Sequence, residues 1–228
     1  MNPVRDIARP DAPAHTPLQI LYADDSLLVL NKPSGLLSVP GRGEDKQDCL
    51  SRRVQSVYPD ALVVHRLDMG TSGLMLMARG AAMQRALNQL FERREVHKRY
   101  MARVDGRLAA APTADGWGLI DLPIAVDWPR RPLRIIDAAG KPSQTRWRSL
   151  AFDEVALCTR VELEPVTGRS HQLRVHLLAL GHPILGDALY APDAVQARSP
   201  RLLLHATALR LVHPATSALL SLESPPDF

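Results

Sequence analysis

The chain has 228 residues, of which 46% are hydrophobic and 23% charged, enough apolar material for a sizeable core and too much for a disordered, fibrous or small disulfide-stapled protein. Its two cysteines, Cys49 and Cys158, lack Cys-x-x-Cys spacing and so frame neither a disulfide scaffold nor a thiolate zinc site, while a formal net charge of +4 suits a neutral enzyme surface and a modest nucleic-acid footprint equally. No apolar run approaches the ~20 residues that cross a bilayer, and a reduced, cytoplasmic protein without membrane contact is expected.

Met1 to Pro17 carries four prolines and no apolar period, and reads as a flexible arm. A single domain is expected to fill 18–228. Leu18 to Tyr22 and Ser26 to Asn31 are apolar runs about Ala23-Asp24-Asp25, the pattern of two adjacent strands. Pro33 to Gly43 is loop. Asp48 is placed to cap a helix in which Leu50, Val54 and Val57 recur, with Pro59 as its stop. Val63-Val64 leads into the polar segment His65 to Gly73, and Leu74 to Ala78 is again a strand, so that segment sits at a strand-loop-strand junction, where chemistry collects. Ala81 to Arg94 puts Met83, Leu87, Leu90 and Phe91 on one face of an amphipathic helix.

Downstream, Arg99 to Val104, Gln144 to Leu150 and Val155 to Leu163 read as strands, with a turn at Gly140. Ser170 to Leu180 is a helix with Leu173, Leu177 and Leu180 on one face, stopped by Gly181 and Pro183. Leu202 to His205, Leu209 to Val212 and Ala218 to Leu222 complete the strands. Without a regular strand-helix-strand rhythm, the pattern predicts an α+β fold around a largely antiparallel sheet flanked by helices.

Charge is uneven along the chain. Arg52, Arg53, Arg66, Arg79, Arg85, Arg93, Arg94, Lys98, Arg99, Arg103 and Arg107 face only Asp60, Asp68, Glu92, Glu95 and Asp105 between Ser51 and Ala110, a surplus of six that exceeds the net charge of the whole chain. Several enzyme signatures fail. Gly168 to Gln172 lacks the second glycine of a hydrolase elbow, and His171 and His176 are five apart with no acid between them, the wrong spacing for helical zinc ligands. Neither a dinucleotide loop nor a phosphate-binding Walker loop is present. His65-Arg66-Leu67-Asp68-Met69-Gly70-Thr71-Ser72-Gly73 remains, one carboxylate between an arginine and two hydroxyls. By residue type alone it fits a structural ion pair as well as a catalytic acid.

Three segments together resemble the pseudouridine synthases of the RluA group: His-Arg-Leu-Asp-x-x-Thr-Ser-Gly at 65–73, Lys-x-Tyr-x-Ala-x-Val-x-Gly at 98–106 and Gly-Arg-x-His-Gln-Leu-Arg-x-His at 168–176. Further stretches, Asn31 to Gly41, Asp121-Leu-Pro, Asp127-Trp-Pro-x-Arg-Pro132 and Gly181 to Asp187 among them, resemble the branch that acts on both rRNA and tRNA. The resemblance implies the synthase catalytic fold without the S4-type RNA-binding domain of many relatives, since the arm before Leu18 is too short for one. It implies isomerisation of uridine within RNA, with no cofactor and no metal, by a monomer whose partners are stem-loops of 23S rRNA and of tRNA, the anticodon stem-loop included.

By the same resemblance Asp68 is the carboxylate acting at C1′, Arg169 the cation that pairs with it, and Tyr100 the ring that stacks on uracil and helps remove the C5 proton. Leu173 packs beneath the site. Arg66 fills the gap left by the flipped uridine, and His65, Thr71, Lys98 and Arg94 contribute to RNA binding. A glycosidase would want a second acid for its leaving group, whereas here uracil is retained. A synthase confined to one RNA, or an RNA-binding protein without chemistry, are the alternatives, and the intact trio Asp68, Tyr100 and Arg169 argues against the second.

Overall fold

The computed structural model describes residues 17–228, so the arm expected over 1–17 lies, except for Pro17, outside the described residues. In chain order the elements are β1 (Gln19–Ala23), β2 (Leu27–Lys32), α1 (Leu50–Gln55), β3 (Ala61–Val63), β4 (Ser72–Arg79), α2 (Gly80–Glu92), β5 (His97–Asp105), β6 (Gly118–Asp121), β7 (Ile124–Val126), β8 (Arg134–Ile136), β9 (Gln144–Asp153), β10 (Cys158–Pro165), α3 (Gln172–Ala179), α4 (Asp193–Gln196), β11 (Leu204–Val212) and β12 (Leu219–Glu223). The class is α+β, as predicted. The described chain forms two compact units, residues 17–99 with 205–227, and residues 100–204 with Phe228.

The first unit is built around β4. Its Leu74 to Ala78 are almost wholly buried, because strands occupy both of its edges. β2 lies antiparallel along one edge, with Leu30 opposite Met75 and Lys32 opposite Gly73. The other edge is shared between β11, parallel at Ser72 and Gly73, and β3, antiparallel at Met77 to Arg79. β1 continues the sheet beyond β2, and β12 lies antiparallel to β11. Gly73 sits where strands crowd most: its φ is +107°, and a Cβ there would lie 2.3 Å from the carbonyl oxygen of Ala206. Only glycine fits. α2 covers β3 and β4, with Leu87 fully buried.

In the second unit, the part of β5 from Tyr100 to Asp105 pairs antiparallel with β10, β10 with β9 and β9 with β6. β7 and β8 form a separate two-stranded ribbon. α3 packs against β8, β9 and β10. Leu173, Val175 and Leu177 are buried as expected of a core helix, but so are Gln172, Arg174 and His176. Each polar side chain is satisfied. Gln172 donates to the Gln144 carbonyl and to Thr145 Oγ1, both at 2.9 Å, while its own oxygen accepts from Thr167 Oγ1 and the Arg169 amide. His176 lies between Thr145 Oγ1 (2.8 Å) and the Leu122 carbonyl (3.0 Å). A carbonyl only accepts, so Nε2 carries the proton, and burial lowers the imidazole pKa toward that neutral form.

Several predicted boundaries move, each for a local reason. Asp48 does not cap α1; Cys49 holds the N-cap position, and the Asp48 carboxylate takes Arg53 instead, at 2.7 and 2.6 Å. β10 starts at Cys158 rather than Val155, because Asp153 Oδ1 accepts the amides of Val155 and Ala156 and turns the chain. α3 starts at Gln172 rather than Ser170, since His171 has φ +58° and cannot be helical. The two strands expected at 202–205 and 209–212 are one continuous β11. No helix among the described residues is long and apolar enough to cross a membrane.

Candidate active site

The loop between β3 and β4 presents Asp68 partly exposed, and a set of bonds from the 32–38 segment fixes that loop. Lys32, at the end of β2, is fully buried, and its Nζ donates to the carbonyls of Pro33 (2.9 Å), Leu36 (2.7 Å) and Met69 (3.0 Å). Met69 also accepts the Gly35 amide at 2.9 Å, and Ser34 Oγ donates to the Gly70 carbonyl at 2.7 Å. Ser38 Oγ grips Leu67 twice, donating to its carbonyl (2.7 Å) and accepting from its amide (3.1 Å). Within the loop, the Thr71 amide donates to the Asp68 carbonyl at 3.1 Å. Each residue flanking Asp68 along 67–71 is therefore tethered, and Asp68 itself is partly exposed.

Charge around the loop is set by burial. Desolvation drives the Lys32 ammonium down to about 7, against the pull of the Asp68 carboxylate, which favours the charged form. His65, at the loop's start, accepts the Leu76 amide at Nε2 (2.9 Å) and stacks 4.9 Å from the Phe91 ring of α2. Enclosure of its ring, together with the positive charge of Lys98, pushes it down to about 3, so it is neutral. Lys98 Nζ lies 5.5 Å over the same Phe91 ring, and burial lowers its pKa as well. His65 and Lys98, both predicted to bind RNA, thus both contact the Phe91 ring. Thr71 is buried, whereas Arg66 and Arg94 are exposed.

The basic stretch is less basic than its count. Arg53 is taken by Asp48, Arg79 by Asp60, Arg103 by Asp153 and Arg107 by Glu154. Arg52, Arg66, Arg85, Arg93 and Arg94 are exposed and have no acid partner among the described residues.

In the second unit Tyr100 is 8% exposed on β5 opposite Leu163 of β10. Leu173 is buried on α3, which packs against β10. Arg169 is exposed in the turn before α3; its amide donates to Gln172 Oε1 at 3.0 Å and its Nε to the Pro142 carbonyl at 3.4 Å. Among the described residues no group of three or more His, Cys, Asp or Glu side chains is placed to hold a metal ion. Sequence reasoning passed over Lys32 as a site residue. Its signal was a lysine ending the otherwise apolar run Leu27-Leu-Val-Leu-Asn31, an ammonium that the strand must carry into the core.

The chain is similar to known proteins over most of its length. The RNA pseudouridylate synthase family matches residues 26–179. The dual-specificity RNA pseudouridine synthase RluA of Escherichia coli (strain K12) is 50% identical over 214 residues, covering 92% of this chain and 94% of that protein. The protein of the same name from Yersinia pestis is 50% identical over 196 residues, covering 86% and 92%. Among solved structures, human RNA pseudouridylate synthase domain containing 1 superimposes with a TM-score of 0.76 at 30% identity, covering 93% of this chain and 84% of the other. Its counterpart, domain containing 4, gives 0.70 at 28% identity, covering 91% and 88%.

Proposed function

This chain belongs to the RNA pseudouridylate synthase family and is an RNA pseudouridine synthase, and we propose that it acts on stem-loops of both 23S rRNA and tRNA, the anticodon stem-loop among them. Support for the pair of substrates comes from identity to the dual-specificity enzymes over nine-tenths of both chains. The reaction detaches uracil from C1′, turns it and rejoins it through C5.

What carries the assignment of the reacting group is Asp68, a partly exposed carboxylate on a loop whose neighbours on both sides are tethered. Breaking the glycosidic bond builds positive character at C1′. A carboxylate held beside that carbon relieves it by attacking C1′ or by taking a sugar proton, and a fixed group does either without first paying to be ordered. In the same reading the Tyr100 ring stacks on uracil and its hydroxyl serves the C5 proton, Arg169 is the cation that pairs with the carboxylate, and Leu173 supports the site from α3. Exposed Arg66 and Arg94 contact RNA directly, with Arg66 filling the space vacated by the flipped uridine. Lys98 adds a partly buried cation, and Thr71 and His65 serve binding by holding the loop in shape. A cytoplasmic location is proposed with this, supported by Cys49 and Cys158, both buried and free.

The test is tritium release from C5-labelled uridine in an anticodon stem-loop and in protein-free 23S rRNA. Wild-type protein is expected to release label from one principal uridine in each, and Asp68→Asn to release none while binding both RNAs. Release by Asp68→Asn at the wild-type rate overturns the role of Asp68, and product in rRNA but in no tRNA overturns the dual specificity.

A further inference from the structure

Trp128, at the tip of the loop joining β7 and β8, is 64% exposed, whereas Trp117 and Trp147 are partly covered. Leaving an indole in water forfeits roughly 1.5 to 3 kcal/mol of burial, so such a ring is a candidate contact surface. The Arg131 guanidinium lies 4.2 Å from the centre of its ring, and Arg131 Nε donates to the Trp128 carbonyl at 3.3 Å. One face of the indole is thus backed by a cation.

The loop is braced from within. Asp127 is buried; its amide donates to the Leu133 carbonyl (3.1 Å) and closes the loop, inside which the Arg130 amide donates to Asp127 O (3.2 Å) and the Leu133 amide to Arg130 O (3.0 Å). The Asp127 carboxylate takes Arg130 at 2.7 Å, and the rings of Pro129 and Pro132 fix two further φ angles. Arg130 is therefore neutralised. Arg131 and Arg134 have no acid partner among the described residues, leaving two free positive charges around a flat aromatic.

The ribbon's foot is tied to the turn that carries Arg169. Tyr190 OH accepts the Arg134 amide at 2.9 Å and lies 2.6 Å from His171 Nδ1. The Tyr190 ring is stacked under Arg174 (5.0 Å), itself held by the buried Asp187. One hydroxyl joins the Trp128 ribbon to the segment just after Arg169.

We propose that Trp128 and Arg131 form a second RNA contact, at which the indole stacks on an unpaired base of the substrate stem-loop outside the reacting uridine while Arg131 and Arg134 meet the adjoining phosphates. This rests on the pseudouridine-synthase reading. The occupant follows from complementarity: a flat π face backed and flanked by unpaired arginines matches a base with its phosphates, whereas an apolar protein patch would leave those charges unanswered. A rigid loop loses little entropy on binding, so the stacking shows up as affinity.

Binding of an anticodon stem-loop RNA tests this through tryptophan fluorescence and equilibrium affinity. Wild-type emission is expected to be quenched by RNA and the quench to be lost in Trp128→Phe. Trp128→Ala should raise Kd about 5- to 150-fold, and Arg131→Gln should lower the log-log salt slope by about 0.7. Circular dichroism and Tm check that each variant folds; if Trp128→Ala does not, Trp128→Phe and Arg131→Gln decide the matter. Unchanged affinity in Trp128→Ala, or a quench that persists in Trp128→Phe, overturns the proposal, as does a change in sedimentation mass with unaltered RNA binding, which would mark a contact between copies of the chain. Trp128-dependent binding by a wild-type protein that releases no C5 label would instead refute the synthase reading and leave the platform in place.

Discussion

Replacing Lys32 by methionine keeps the stem and removes the ammonium that ties Pro33, Leu36 and Met69 together. Two opposing quantities set the cost. Three carbonyls lose the Lys32 donor, of which only the Leu36 bond is fully buried, at about 1 to 3 kcal/mol, while Met69 keeps the Gly35 amide and the protein is relieved of burying a charge. The second depends on pH. The folded pKa of Lys32 is about 7 against 10.5 in the unfolded chain, so between those values the unfolded state holds a proton that the folded state lacks, and folding gains stability as pH rises, by about 1.36 kcal/mol per unit. Below pH 7 both states are protonated and the full desolvation penalty is present. Wild type is therefore expected to gain roughly 3 kcal/mol on Lys32→Met in stability between pH 6 and pH 9. Urea unfolding of both proteins at pH 6, 7.5 and 9 measures this directly. A stability difference that stays constant over that range, or shrinks toward pH 9, refutes the reasoning. The same variant should lose about 10²-fold in isomerisation, as expected of an ångström-scale misplacement of Asp68.

Tyr100→Phe keeps a ring on β5 but no hydroxyl, and single-turnover isomerisation is expected to fall by ~10² to 10⁴ with little change in RNA affinity; a wild-type rate would show that only the ring matters. The five exposed arginines without acid partners, Arg52, Arg66, Arg85, Arg93 and Arg94, should give a log-log salt slope of about −3.5 if each meets one phosphate of a single strand, and a slope near zero would remove them from the RNA interface. Gly73→Ala places a methyl 2.3 Å from the Ala206 carbonyl at a φ of +107°, and should cost about 3 kcal/mol or more in chemical denaturation; a neutral substitution would mean that β4 and β11 separate easily.

The parts of this fold legible in the sequence are those in which one element decides its own form. β2 and β4 are continuous apolar runs and α2 is amphipathic, and each forms close to its predicted bounds. The polar loop between β3 and β4 was legible as well, being a junction between two strands. Elements whose form depends on distant partners were not. α3 carries Gln172, Arg174 and His176 into the core because Thr145 and Asp187 await them, 13 to 31 residues away. β7 and β8 are three residues each, too short to show a period. Lys32 clamps Met69 across 37 residues only because the β2–β4 register sets Lys32 opposite Gly73. The basic stretch was overcounted for the same reason, since Asp48, Asp153 and Glu154 lie outside it and answer Arg53, Arg103 and Arg107.

Asp187, Asp127 and Asp68 each feel a cation, and their surroundings separate structural use from the chemical use proposed for Asp68. Asp187 is 1% exposed, takes two bonds from Arg174 and accepts the amides of Leu189 and Tyr190. Asp127 is also buried, and it spends its oxygens on Arg130. Both are consumed by the fold. Asp68 also acts on a cation, its carboxylate opposing but not overcoming the desolvation that lowers the Lys32 pKa, and three Lys32 hydrogen bonds go to backbone carbonyls. A compact ammonium can attract a carboxylate as a point charge while its own protons go to other acceptors, where a guanidinium fork would seek both oxygens of the acid. Asp68 lies on a tethered backbone with its side chain partly exposed, as the role proposed for it requires. Lys32→Arg is expected to offer Asp68 a two-oxygen ion pair of the Asp187 kind and to slow single-turnover isomerisation, and a variant as fast as wild type would refute that contrast.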